Sequence, residues 1–201
     1  MTSTSILSRQ FHQPTGFTGK LVGCLMTAKN KARSDWTVEQ LDIQPYQQVL
    51  EIGYGTGRTL EEVGMKMKIG LIAGIDHSAI MYQEATRRNK RFIQQQLMQL
   101  HIGKVKDLSY PPHYFHTIYG SNVHFFWKEP QYEFLRLARL LKTGGKLVMV
   151  FQPGWANKDE DLQLAGEKIK REYQEAGLVN VEIRYKDMEP VTCISATGFK
   201  P

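Results

Sequence analysis

Residues 49–60 have the sequence VLEIGYGTGRTL, and this stretch decides the fold of the chain. Val49 to Ile52 predict a buried strand, the glycines predict a turn, and a helix is expected to open near Thr59. Glycine has no Cβ atom, so the chain can turn sharply there and its backbone can approach a ligand closely. The helix start leaves free N–H groups and a partial positive charge behind the turn. The stretch therefore predicts the first half of a nucleotide-binding βαβ unit.

A second strand, with an acid at its end, follows at the spacing that such a unit requires. Residues 71–76 have the sequence LIAGID, and Asp76 lies nineteen residues after Gly57. A carboxylate at this place can accept hydrogen bonds from the hydroxyls of an adenosine ribose. The structural alternative is that Asp76 caps the following helix beside Ser78. Cofactor binding is favoured, because strand, turn, helix and acid occur in the expected order.

The spacing of the glycines distinguishes between cofactors. Dinucleotide enzymes prefer Gly-x-Gly-x-x-Gly, and here the third glycine comes one residue early, which disfavours a nicotinamide-dependent oxidoreductase. The segment from Glu51 to Gly57 instead resembles motif I of the class I S-adenosylmethionine-dependent methyltransferases. Asp76-His77-Ser78 with Met81 resembles the ribose and adenine segment of that family. Residues 140–147, LLKTGGKL, resemble its turn into the fifth strand.

This resemblance covers about residues 36–152 and concerns the family, not a substrate. Residues 16–36 also resemble small bacterial methyltransferases near the quinone-biosynthesis type. The implied fold is α/β, a Rossmann-like seven-stranded methyltransferase sheet with helices on both faces and a C-terminal antiparallel hairpin. The order of predicted strands and helices along the chain agrees with it. We expect an N-terminal arm and cap helix over residues 1–35 and the methyltransferase domain over residues 36–201.

The resemblance implies S-adenosylmethionine as cofactor, with S-adenosylhomocysteine as product. The acid or small polar residue that often follows strand three in the family is replaced by Lys104, which cannot accept a hydrogen bond when charged. Adenine recognition is therefore left open between the backbone at Val105, the side chain of Asp107 and packing against Met81. Ser121 or Asn122, at the end of strand four, is expected to bond the methionine part. The full set of expected cofactor-binding residues is Glu51, Gly53, Tyr54, Gly55, Gly57, Asp76, His77, Met81, Val105 and Ser121.

Two residues are candidates for the catalytic step. His124 follows the fourth strand and is the histidine placed to act as a base, although a helix-start residue bonded to backbone is the slightly favoured alternative. Tyr54 lies in the glycine turn and is expected to form a wall of the methyl-transfer pocket. His113 and His116 have a metal-like spacing, but they precede or begin strand four and belong at the opposite sheet edge. No metal site is predicted.

Composition narrows the class of protein. The chain has 201 residues, two distant cysteines and a net charge of +6. No apolar run approaches the length of a membrane span, and the cysteines match reduced thiols in a cytoplasmic protein. The basic clusters at 29–33 and 87–91 are interpreted as solvated faces, so we do not expect the protein to bind nucleic acid. The oligomeric state, monomer or homodimer, is left open.

A small-molecule methyltransferase acting by in-line transfer is the leading hypothesis. The first alternative is a non-catalytic protein that binds the cofactor without turnover. The second is an RNA or protein methyltransferase that uses the basic surface, which would ordinarily need an additional recognition module. The methyl acceptor cannot be named from the sequence, because methyl transfer asks more of positioning than of particular side chains.

Overall fold

The computed structural model of the chain describes residues 31–201. Residues 1–30 of the predicted N-terminal arm and cap helix lie outside this range. The helices are α1 (Lys31–Leu41), α2 (Arg58–Lys66), α3 (Ala79–Arg88), α4 (Lys90–Gln94), α5 (Pro130–Leu140) and α6 (Asp159–Glu175). The strands are β1 (Gln48–Ile52), β2 (Leu71–Asp76), β3 (Met98–Ile102), β4 (Phe115–Ser121), β5 (Leu141–Phe151), β6 (Val179–Lys186) and β7 (Cys193–Phe199). Short 3₁₀ helices cover Val105–Asp107 and His124–Phe126.

The strands form one sheet in the order β3-β2-β1-β4-β5-β7-β6. The first five are parallel, and β7 runs antiparallel to both β5 and β6. This confirms the predicted α/β, Rossmann-like seven-stranded sheet with a C-terminal antiparallel pair. The strand order reverses between β1 and β4, so the carboxyl ends of β1, β2, β4 and β5 meet at one edge. Ligands of open α/β sheets bind at such an edge.

Apolar side chains pack on both faces of the sheet, and the central strands β1, β2, β4 and β5 are largely buried. Trp36, Leu60 and Met81 belong to a cluster that packs α1, α2 and α3 against one face. Phe134 and Tyr173 belong to a second cluster, which packs α5 and α6 against the other face. Burying a large side chain of this kind contributes roughly 1.5–3 kcal/mol. The two layers hold the loops at the carboxyl edge on a rigid frame.

Two details of the sequence prediction are wrong at the level of single residues. The sequence predicts Ser34 as the N-cap of a short helix through Leu41, but Ser34 lies inside α1. The sequence predicts a helix over residues 132–141 with Leu135 pointing inward, but Leu135 is 54% exposed, while Leu137 is fully buried. The buried positions Phe134, Leu137 and Ala138 follow the 3.6-residue helical period, and Leu135 falls outside that stripe. The domain boundary predicted after residue 35 falls within α1, and it stays a prediction.

The sequence predicts a helix over residues 79–97 that breaks near Asn89, and the structure confirms the break. Asn89 separates α3 from α4 and is fully buried. Its side-chain amide donates to the carbonyls of Gly57, at 2.9 Å, and Ala85, at 3.0 Å. The first of these bonds reaches the last residue of the glycine turn. The helix break therefore helps to fix the turn that the sequence places at the centre of the fold.

Candidate functional site

The three glycines of the turn have different structural roles, although all three have positive φ angles. A Cβ atom on Gly53 would meet Val123 Cγ2 at 2.8 Å, and one on Gly57 would meet Asn89 Nδ2 at 2.6 Å. A Cβ atom on Gly55 would meet nothing within 4 Å. Gly53 and Gly57 therefore allow close packing within the protein. Gly55 borders open space that a ligand can enter, which fits the expected cofactor.

Asp76 joins the end of β2 to the glycine turn. Its Oδ2 atom accepts the backbone N–H of Gly55 at 2.9 Å, and its Oδ1 atom accepts that of Ser78 at 2.9 Å. The second bond is the helix-start role that the structural alternative described. A carboxylate offers about four acceptor positions, so two remain for ribose hydroxyls. Asp76 is 8% exposed and lies directly beside the open space at Gly55.

The expected adenine residues differ in how accessible they are. His77 is exposed, with its Nδ1 atom 3.7 Å from Asp76 Oδ1. The side chains of Met81 and Val105 are both buried, so they support the segments that follow β2 and β3 from within the core. Lys104 donates its backbone N–H to Asp107 Oδ2 at 2.9 Å, so one oxygen of that carboxylate caps the backbone.

Ile102 is a candidate adenine contact that the sequence reasoning missed. It ends β3, pairs in register with Asp76 and is 52% exposed. An apolar side chain exposed beside the predicted ribose acid suits one face of a purine ring. The signal was available, since the last apolar residue of a strand adjacent to β2 must lie at the ligand edge.

Glu51 is buried at 2% exposure and accepts the hydroxyl of Tyr119 at 2.9 Å. Burial raises the pKa of Glu51 to about 8; the Tyr119 hydrogen bond opposes this shift, and the nearby Asp76 carboxylate adds to it. The side chain is therefore protonated at neutral pH. Its buried position in β1, two residues before Gly53, makes it a support of the glycine turn.

The carboxyl ends of β4 and β5 are joined by side-chain amides. Asn122 has a positive φ angle, and its Oδ1 atom accepts the backbone N–H of Gln152 at 2.9 Å. Gln152 in turn donates its Nε2 to the carbonyls of Glu189, at 3.2 Å, and Val191, at 2.7 Å. This links the sheet edge to the loop that precedes β7.

Arg33 is the second functional candidate that the sequence reasoning missed. The sequence assigned it to a solvated basic cluster, but it is 9% exposed. Its Nε donates to Ser121 Oγ at 3.0 Å, and its Nη1 donates to Gln152 Oε1 at 2.7 Å. Arg33 shares the buried stripe of α1 with Trp36 and Thr37. That i, i+3, i+4 spacing was the available signal that Arg33 lies on the buried face of the helix, although it does not identify the partners of Arg33.

The two residues expected to be catalytic lie in different apolar clusters. The ring of His124 packs against Phe151 at a centroid distance of 4.6 Å, and its Nδ1 has no hydrogen-bond partner among the described residues. Burial lowers the pKa of His124 to about 3, with a smaller effect from Lys168. Tyr54 packs on the opposite face of the sheet and donates its hydroxyl to the carbonyl of His101 at 3.0 Å. The structure therefore does not bring them together.

The paired histidines lie at the opposite edge, as predicted. His116 Nδ1 accepts the backbone N–H of Gln48 at 3.0 Å, at the start of β1 and β4. His113 is exposed before β4. Within residues 31–201, no group of three or more His, Cys, Asp or Glu side chains is arranged to hold a metal ion.

The second basic cluster is only partly a solvated face. Arg88 donates its Nε to the carbonyl of Thr56 at 3.0 Å and forms an ion pair with Glu61 at 3.1 Å. Arg91 lies over the ring of Phe92, 4.4 Å from its centroid. Arg88 thus ties α3 to the glycine turn.

A cavity of about 670 Å³ opens beside the carboxyl end of β5. Residues 156–159, which follow β5, and residues 187–192, which precede β7, line it. The cavity does not include Gly55 or Asp76. Because Gln152 connects its wall to Arg33, it is a candidate place for an acceptor molecule rather than for the adenosine part of a cofactor.

Comparison with known proteins identifies relatives of this chain. Residues 49–145 match the sequence model of the family described as "Methyltransferase domain". The uncharacterised methyltransferase YdaC of Bacillus subtilis strain 168 is 26% identical over 182 residues, which cover 90% of this chain and 98% of that protein.

Solved structures share the fold. A SAM-dependent methyltransferase from Aquifex aeolicus has a TM-score of 0.69 at 14% identity, covering 87% of this chain and 96% of that one. Phosphoethanolamine N-methyltransferase 2 of Haemonchus contortus, solved with phosphomonomethylethanolamine and S-adenosylhomocysteine, has a TM-score of 0.68 at 14% identity. That match covers 85% of this chain and 53% of the Haemonchus protein, so this chain spans about half of its length. None of the helices found between residues 31 and 201 has the length and apolarity to cross a membrane.

Proposed function

We propose that this chain methylates a small molecule by in-line transfer. The premise is that it belongs to the class I S-adenosylmethionine-dependent methyltransferases. The observation that carries the proposal is the pairing of Gly55 with Asp76. Gly55 borders open space, and the Asp76 carboxylate beside it keeps free acceptor positions for a ribose. A cytoplasmic location is part of the same proposal.

The residues expected to bind the cofactor divide into two groups under this proposal. Gly55, Asp76, His77 and Ser121 contact it, with Ile102 added at the adenine ring. A second group shapes the turn and its supports from buried or packed positions: Glu51, Gly53, Tyr54, Gly57, Met81 and Val105. When bound, S-adenosylmethionine supplies an electrophilic methyl group on a sulfonium.

Positioning is the main contribution that we assign to the protein. Holding two reactants in line is worth roughly 7–11 kcal/mol of a barrier. A base role for His124 is disfavoured, because burial keeps its imidazole neutral with a pKa of about 3. A base with so low a pKa is a weak proton acceptor at neutral pH. Tyr54 is assigned to positioning as well, since its hydroxyl is bonded to the carbonyl of His101.

The alternatives make different predictions about the label from a methyl-labelled cofactor. We would incubate the purified protein with labelled S-adenosylmethionine and separate pools of small metabolites, RNA and protein, with Asp76→Ala as the matched control. Label in a small-molecule pool that the variant fails to transfer supports the proposal. Cofactor binding without transfer to any pool would favour a non-catalytic binding protein. Label in RNA or protein would favour the alternative that uses the basic surface.

A further inference from the structure

Arg33 is a buried cation whose two hydrogen bonds to described residues both go to neutral groups. The acceptors are the Ser121 hydroxyl and the Gln152 side-chain carbonyl. Among residues 31–201, no carboxylate lies within ion-pair distance of its guanidinium. Residues 1–30 contain no Asp or Glu, so that segment has no acidic side chain to offer.

Such a charge is unfavourable unless something anionic meets it. A buried ion is normally paired, since desolvation costs several kcal/mol per charge. Arginine cannot escape this cost by losing its proton at neutral pH. The nearby thiol of Cys193 does not compensate either, because burial raises its pKa to about 12 and it stays neutral. The fold therefore holds a fixed positive charge at the edge where ligands bind.

The position of Arg33 selects the part of the ligand that it would meet. Asp76, the proposed ribose acceptor, ends β2, and Ser121 ends β4, which lies two strands away in the sheet. Two strand spacings are about 10 Å. A cofactor whose ribose is at Asp76 and whose chain crosses β1 at Gly55 brings its amino-acid end towards Ser121. The only anionic group on S-adenosylmethionine is the carboxylate at that end.

We infer that Arg33 binds the amino-acid carboxylate of the cofactor, with Ser121 and Gln152 holding the guanidinium in place. This inference rests on the proposed function. Arg33 has donors in a fixed planar fork, a geometry that suits a carboxylate. Its role is that of a binding and positioning residue, because fixing the methionine end fixes the direction of the sulfonium methyl group.

The test compares S-adenosylmethionine with decarboxylated S-adenosylmethionine, which retains the sulfonium and the amine. Titration calorimetry would be run on the wild-type chain, on Arg33→Met and on Arg33→Lys. Arg33→Met should weaken S-adenosylmethionine binding roughly 10-fold to 100-fold, the range for a lost charged hydrogen bond, and leave the decarboxylated form almost unchanged. Arg33→Lys should restore part of the loss. Lys31→Met, an exposed charge removal on the same helix, should change neither affinity.

The ratio of the two affinities separates binding from structure. A purely structural loss of the Ser121 and Gln152 bonds would weaken both ligands equally and leave the ratio unchanged, which would overturn the inference. A wild-type protein that binds both ligands with equal affinity would also overturn the inference. Arg33 would then be assigned to an anionic group of the methyl acceptor. A wild-type protein that binds neither ligand would instead contradict the proposed function.

Discussion

The backbone N–H of Gly55 donates to the Asp76 carboxylate at 2.9 Å, so the glycine that borders open space and the acid at the end of β2 are held as one unit. Gly55 has a φ angle of +52° and open space where a Cβ atom would lie. The acid thus acts on the shape of the turn as well as on any ribose that it binds. Each of the following predictions depends on this arrangement or on the groups around it.

Gly55 and Gly57 should respond differently to the same substitution. Alanine in the left-handed region costs about 1–2 kcal/mol at either position. Gly57→Ala adds a clash with buried Asn89, so it should lower the free energy of unfolding further than Gly55→Ala does. Gly55→Val should abolish S-adenosylhomocysteine binding, because its side chain enters the open space. Urea unfolding would measure stability, and calorimetry would measure binding. If substitutions at Gly55 and Gly57 lowered stability equally and binding equally, the two glycines would not have separate roles.

Asp76→Ala should lower both affinity and stability. The variant removes two hydrogen bonds in which the Asp76 carboxylate accepts the backbone N–H groups of Gly55 and Ser78. We expect a loss of about 1.5–3 kcal/mol in cofactor binding and a measurable fall in the free energy of unfolding. Asp76→Asn keeps one acceptor oxygen and should fall between. Unchanged affinity of Asp76→Ala by titration would show that the ribose site lies elsewhere.

Glu51 should make the stability of the protein depend on pH. Burial holds the pKa of Glu51 at about 8, above its ordinary value of 4.5. Between these values the native state keeps a proton that the unfolded chain has released, so the contribution of Glu51 to stability is lost as pH rises. Glu51→Gln removes this titration and retains an acceptor for Tyr119.

The free energy of unfolding of the wild-type chain should therefore fall more steeply between pH 5 and 8 than that of Glu51→Gln. Denaturant titrations at several pH values in this window would measure the difference between the two slopes. The other titrating groups contribute equally to both proteins, so they cancel in the comparison. Equal slopes would mean that Glu51 is ionised in the native state.

His124→Phe should leave the protein as stable as the wild type or more so. The imidazole packs against Phe125 and Phe151, and its Nδ1 has no partner within residues 31–201. Replacing an unsatisfied buried polar atom by an apolar ring is nearly neutral or stabilising, whereas His124→Ala should cost roughly 3 kcal/mol through the cavity that it leaves. Denaturant unfolding of both variants checks this.

The same pair of variants tests the catalytic role. Positioning predicts that His124→Phe keeps most of the turnover with any acceptor that the labelling experiment identifies. A base would lose roughly 10²–10⁴-fold. A loss of that size in a stably folded His124→Phe protein, with cofactor affinity unchanged, would restore the base hypothesis.

Sequence reasoning found the elements whose signals are local. The strand before the glycine turn, the acid that ends β2 and the break at Asn89 each depend on residues close in the chain, and the structure has them where they were expected. It did not find contacts that join distant segments. Arg33 meets Ser121 and Gln152 across 88 and 119 residues, and no local pattern marks such a pairing.

Side-chain direction was the other gap. Tyr54 follows β1 and His124 follows β4 at the same edge of the sheet, yet the two side chains pack on opposite faces. A residue at the carboxyl edge of the sheet is therefore only a candidate site residue until the direction of its side chain is known. Gly53, Gly55 and Gly57 show the same limit, since the motif does not tell which glycine borders the ligand.

Cofactor binding by the wild-type chain tests the central claim most directly. Thermal unfolding would be followed with S-adenosylmethionine, S-adenosylhomocysteine and NADH, each at a hundredfold excess over the dissociation constant expected. We predict that the two adenosyl ligands raise the melting temperature by roughly 5–10 °C, corresponding to about 2.7 kcal/mol, and that NADH does not. The Gly55→Val variant should show no shift with any of the three. A shift with NADH alone, or none with either adenosyl ligand, would contradict the account.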